Sequence, residues 1–151
     1  MTNQEKIDYL NNALTKSDNA LRASIILYNS KLYEDSVSRA YYAIFNSARC
    51  FGILDDFDTS KHSGIKSHFD LNYIKTGVFD KSFSKILHTA FSARQVSDYD
   101  LKGNFSTKED AEKAIKAAKT FIPEVQRVIR DRITQLQIEV PDGNDSQKFK
   151  R

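Results

Sequence analysis

The sequence predicts an all-α protein, an antiparallel up-and-down bundle of about five helices. Three observations carry this expectation. Apolar residues return at intervals of three and four through most of the chain, which is the period of a helix face. Nothing in the chain reads as a strand. And 151 residues contain only 5 Gly and 2 Pro, too few for the turn roughly every 8–12 residues that an all-β chain needs.

At this length one core is expected, burying roughly 68–70% of the unfolded surface. A make-up of 40% hydrophobic and 28% charged residues excludes low-complexity disorder and a collagenous chain. Lys+Arg 23 against Asp+Glu 20 leaves a net charge of +3, compatible with an RNA ligand but not diagnostic of one.

The elements follow in order. Ile7, Leu10, Leu14, Leu21, Ile25 and Tyr28 form the stripe of a first helix. Val37, Tyr41, Ile44, Ala48 and Phe51 step by four, three, four and three along a second. A third, shorter helix starts near Ser60, its expected N-cap, and runs to about Tyr73 with Ile65 and Phe69 inward, before Gly77 punctuates the chain. The fourth spans about Lys81 to Tyr99, with Phe83, Leu87, Ala90 and Phe91 toward the core.

Ser106 and Glu109 read as a capping box opening the last helix. Its seam is Ala111, Ile115, Ala118, Ile122, Val125, Ile129, Ile133 and Leu136, interrupted by Pro123, which predicts a kink near Lys119. This seam either covers the bundle end to end or extends into a partner surface. Residues 1–140 are expected to form the bundle and 141–151 a polar, disordered tail.

Some chemistries are excluded early. Cys50 is the one cysteine and sits in an apolar run, so it reads as a small buried hydrophobe. His62, His68 and His88 have no metal-ligand spacing, and the glycines form no phosphate loop, so no metal and no cofactor are expected. No apolar stretch reaches the ~18–20 residues that span a membrane, and the polar start lacks the order of a signal peptide. These features point to a cytoplasmic protein.

Two places carry candidate function. Opposite the apolar stripe of the second helix run Arg39, Tyr42, Asn46 and Arg49. Two guanidiniums with an aromatic ring and an amide between them suit a phosphate and a stacked base, although a solvated face with snorkelling arginines has the same pattern. The fourth helix ends in Arg94-Gln95-Val96-Ser97-Asp98-Tyr99. Arg94 and Asp98 are spaced for an intrahelical ion pair, in the less favourable order. Alternatively Arg94, Asp98 and Tyr99 line a polar pocket, with Lys61 and His62 supplying donors from the start of the third helix.

Arg39-Ala40-Tyr41-Tyr42-Ala43-Ile44-Phe45, Lys61-His62-Ser63-Gly64 and Arg94…Asp98-Tyr99, in this order, resemble the HEPN superfamily and more narrowly its UPF0332 branch. The similarity covers roughly residues 21–122. The resemblance implies a dimerising helical bundle, often encoded beside a minimal nucleotidyltransferase in a toxin–antitoxin or defence module. It also implies binding of RNA or nucleotide and, in many members, metal-independent endoribonuclease activity.

The family's catalytic pattern is an Arg, then four to six intervening residues, then a His. Arg94 matches the arginine, which would stabilise the charged transition state. The window after it holds Tyr99, Asp100 and Leu101, and no His. Asp98, Tyr99 or His62 would have to move the proton in its place. The resemblance further implies that a nucleotidyltransferase partner attaches AMP to a tyrosine near the arginine, and Tyr99 holds that position.

Overall fold

A computed structural model describes residues 1–57, 62–99 and 105–139; of residues 62, 63 and 94–99 it describes the backbone alone. Five helices follow one another: α1 (Asn3–Asn29), α2 (Tyr33–Leu54), α3 (His62–Phe69), α4 (Ser82–Tyr99) and α5 (Lys108–Glu139), with a π-helical turn (Asp70–Ile74) extending α3. Among the described residues there is no strand. The all-α bundle is therefore as expected.

The four long helices alternate in direction. Tyr28 reaches Glu112 and Asp18 reaches Gln126, so α1 and α5 run antiparallel. The Ser106 amide donates to Glu34 Oε2 at 2.7 Å, which brings the starts of α2 and α5 together. Phe83, in the first turn of α4, meets Phe121 midway along α5. The short α3 and its π turn form the connection between α2 and α4.

Helix α2 lies at the centre. Its predicted stripe of Val37, Tyr41, Ile44, Ala48 and Phe51 is buried throughout, and so are Ala40, Ala43, Phe45, Cys50 and Leu54 on its flanks. Around Phe51 an aromatic cluster joins three elements. Tyr73 lies 4.0 Å away, Phe69 5.6 Å and Phe79 5.7 Å, measured between ring centroids. Burial of such large rings is the main source of stability in a domain of this size.

Three local expectations change. In α1 the positions that disappear completely in the second half are Ser17 and Ser24, with Ala20, whereas Leu21, Ile25 and Tyr28 are only partly covered. The reason is close approach to α2, which admits small side chains and satisfies their hydroxyls. Ser17 Oγ donates to the Ala43 carbonyl at 2.8 Å. Ser24 Oγ donates to the Ser36 carbonyl at 2.6 Å, and Ser36 Oγ returns a bond to the Ser24 carbonyl at 2.8 Å.

The capping box of α5 sits one residue later than Ser106 and Glu109. Thr107 Oγ1 accepts from the Asp110 amide at 3.2 Å, and Asp110 Oδ2 accepts from the Thr107 amide at 2.8 Å. Ser106 is displaced from that role because its own amide is already bonded to Glu34. The third helix ends its α-helical course at Phe69 and continues as the π turn rather than as regular helix to Tyr73. Helix α5 is continuous from Lys108 to Glu139 with Pro123 inside it. The expected cap at Ser60 and the tail from Pro141 lie outside the described residues.

One contact secures the far end of the α1–α2 pair. The Lys6 ammonium is buried, donates to the Leu54 carbonyl at 3.2 Å and pairs with Asp56 at 3.0 Å. A cation on the last carbonyls of α2 both satisfies an orphan acceptor and complements the helix dipole.

Candidate functional site

The polar residues of α2 form a connected ladder. Arg39 is exposed, and its guanidinium carbon stands 4.6 Å above the centroid of the Tyr42 ring. One turn on, Asn46 Nδ2 donates to the Tyr42 carbonyl at 3.0 Å. Asn46 Oδ1 then accepts from Arg49 Nη1 at 3.4 Å. Each step of three or four residues brings the next side chain over the last, because those spacings share one helix face.

The rungs differ in access. Arg39 is exposed, Tyr42 and Arg49 are half-buried, and Asn46 is 1% exposed. Asn46 therefore acts as an internal brace that orients Arg49, rather than as a surface contact. Arg49 Nε is buried and has no hydrogen-bond partner among the described residues. Arg39 and Arg49 are ten residues apart, roughly 15 Å along the helix axis. Arg39 makes no hydrogen bond among the described residues, while the Tyr42 face holds its charge in place, an attraction of about 0.5–1 kcal/mol at an exposed site.

Cys50, beside Arg49, is fully buried, and burial pushes its thiol up to about 12 despite the neighbouring guanidinium. The thiolate is thus not formed at neutral pH, and the residue packs as a hydrophobe.

Arg94, Asp98 and Tyr99 fall in the last turns of α4. Their side chains lie outside the described residues, as do Lys61 and the His62 side chain. No group of three His, Cys, Asp or Glu side chains positioned to hold a metal comes together among the described residues. Nor is any described helix long and apolar enough to cross a membrane.

A second polar cluster was not foreseen. Asp55, just beyond the end of α2, accepts from the Tyr73 hydroxyl at 2.7 Å and lies 2.8 Å from His68 Nε2. Asn72 lies 3.2 Å from His68 Nδ1, and Phe57 stacks on the imidazole at 4.6 Å. Both ring nitrogens are thereby engaged. Burial first, then the bond to Asp55, holds the Tyr73 phenol well above its ordinary range. The cluster fastens α3 and the π turn to α2, and no spacing in the sequence foretells it, since its members lie 13 and 18 residues apart.

The described chain is a small all-helical bundle domain with an arginine–aromatic ladder on its central helix. Comparison with known proteins narrows this to a family. The HEPN domain model matches residues 10–128, from the first turns of α1 into the second half of α5. The chain is 32% identical over 111 residues to a protein of Methanocaldococcus jannaschii named "Putative toxin MJ0605", covering 74% of this chain and 81% of the relative. It is 29% identical over 109 residues to a UPF0332 protein of Thermotoga maritima, covering 72% and 81%. The protein belongs to the HEPN family, and UPF0332 proteins are among the relatives it resembles.

Proposed function

We propose that this protein is the toxin-like member of a toxin–antitoxin or defence module, binding RNA or a nucleotide along α2 and a minimal nucleotidyltransferase as its partner. The observation that carries the reading is the ladder. Arg39 offers a held cation for phosphate, Tyr42 an aromatic face for a base, and Arg49 a second cation braced from within by Asn46. The toxin name borne by the Methanocaldococcus relative supports the module, and HEPN membership supports the ligand class.

In this reading binding does not depend on turnover, because the window after Arg94 holds no His to act as general base. The protein acts as a homodimer. The apolar seam of α5 runs as far as Leu136, which still packs against the core, and beyond it Ile138 is 67% exposed on another face of the helix. Tyr99, five residues after Arg94, is the acceptor of AMP from the partner. A phosphodiester there would place bulk and negative charge where substrate phosphate belongs.

The deciding experiment incubates purified protein with RNA in EDTA, comparing wild type with Arg94→Ala. Retained RNA that binds without being cleaved supports the binding module. Cleavage lost in Arg94→Ala identifies instead a metal-independent endoribonuclease that uses Arg94, with Asp98, Tyr99 or His62 in proton transfer.

A further inference from the structure

The first turns of α4 and the π turn enclose an open cleft of about 800 Å³ that includes Lys66, Asp70, Lys75, Lys81, Lys85 and His88. A second cleft of about 400 Å³ lies between α4 and α5, reaches Tyr41 on α2 and brings in Lys113. Ser82 and Lys85 line both, so the two form one continuous groove across the start of α4.

Charge separates this groove from an ordinary surface. Lys66, Lys75, Lys81, Lys85 and Lys113 stand against Asp70 and Asp80, an excess of three positive charges with His88 counted neutral. The whole chain carries a net of only +3. Asp80 is engaged, and Asp70 is engaged through Oδ2 while its Oδ1 is buried without a hydrogen-bond partner among the described residues. Asp70 pairs with Lys66 at 2.7 Å, and Asp80 Oδ2 accepts the Ser82 amide at 3.0 Å, capping α4. Lys75, Lys81, Lys85 and Lys113 make no ion pair among the described residues, and all four are exposed.

We infer that this groove is a second anionic binding site, which seats the phosphodiester backbone of a single-stranded nucleic acid across the start of α4. Lysine ammonium groups suit that ligand. They act as compact point charges with rotatable donors and impose no bidentate geometry on a flexible strand. A row of them along an open groove tracks a backbone without reading its sequence. The π turn and the residue that follows it bring Asp70, Ile74 and Lys75 to the groove. The site is separate from the α2 ladder and shares with the functional proposal only its ligand class.

The test is fluorescence anisotropy with the full chain and a 5′-labelled, 2′-O-methylated oligouridylate of about twelve nucleotides, which cannot be cleaved through its 2′ oxygen. The comparison is wild type, the triple variant Lys75→Gln/Lys81→Gln/Lys85→Gln, and the ladder variant Arg39→Gln/Arg49→Gln. The lysines are exposed, and an unchanged far-UV circular dichroism spectrum verifies folding. The triple variant should bind at least about tenfold more weakly, and the slope of log K against log salt should flatten by about 2, near 0.7 for each lost phosphate contact.

Unchanged affinity and slope in the triple variant would overturn the inference, even if the ladder variant loses binding and so upholds the α2 reading. Loss in the triple variant alone upholds the groove and removes the α2 reading. Displacement of the oligonucleotide by polyglutamate of equal charge would assign the groove to an acidic protein segment and overturn the nucleic-acid inference. So would the absence of binding by wild type at low salt.

Discussion

The Arg39 guanidinium rests on the face of Tyr42, 4.6 Å from guanidinium carbon to ring centroid, on the outer side of an otherwise buried helix. The contact fixes where the charge sits before any ligand arrives, so less side-chain entropy is lost on binding. The ring of Tyr42 is what the guanidinium meets. Tyr42→Ala is expected to weaken RNA or nucleotide binding by about 1–3 kcal/mol, the usual worth of one stacked base. Tyr42→Phe is expected to bind within about twofold of wild type, as retention of the aromatic face requires. Isothermal titration of both variants checks this.

Arg94→Ala is expected to leave the fold intact, because Leu87 and Ala90 already anchor α4 in the core. If the chain cleaves RNA in EDTA, that variant should lose about 2.7–4 kcal/mol of transition-state stabilisation, a 10²–10³-fold slower rate. Gel-based cleavage at equal protein concentration provides the measurement.

The paired serines of α1 and α2 make a sharper stability prediction. Ser24→Ala or Ser36→Ala alone removes one reciprocal bond and leaves a buried carbonyl under-satisfied, at about 1–2 kcal/mol each. The double variant should cost less than the two single losses together, because the partners are coupled. Urea denaturation of the four proteins measures the coupling, and strict additivity would show the bonds to be independent.

Asp55 accepts from Tyr73 and lies against His68. Asp55→Ala leaves the buried Tyr73 hydroxyl without that acceptor, at about 1–3 kcal/mol. The melting temperature should fall by roughly 2–4 °C for each kcal/mol at this chain length. Tyr73→Phe removes donor and demand together and should cost less, which separates loss of the bond from loss of packing.

Asp70 supplies a pH dependence. Burial alone would raise its carboxyl, but the Lys66 bond, the Ser84 hydroxyl and the Lys66 and His88 charges hold it below the ordinary carboxylate value. A folded-state value below the unfolded one means the contribution is present above the unfolded pKa and is lost as pH falls through the folded pKa. The stability gap between wild type and Asp70→Asn is therefore expected at pH 7 and should close below about pH 4. It should stay within about 1 kcal/mol, since the pair is partly solvated. Thermal melts across pH 3–7 measure it.

What the sequence by itself determined is the class of fold and the face of the central helix. Val37 to Phe51 repeats at the helical period, and any chain with that stripe must bury it, so α2 could be placed without knowing its neighbours. The ladder of Arg39, Tyr42, Asn46 and Arg49 was legible for the same reason: intrahelical spacing brings those groups together whatever surrounds them. Tertiary structure decided everything that depends on what lies across from a residue. Ser17 and Ser24 become core because α2 approaches there and offers carbonyls, which composition alone would assign to solvent. Ser106 yields its cap to Thr107 because Glu34, 72 residues away, takes its amide. The Asp55 cluster and the lysine groove join residues from the end of α2, the π turn, α4 and α5. Only packing sets those distances, because local sequence governs neighbours one helical turn apart while the register between helices is chosen by the shape and chemistry of both surfaces.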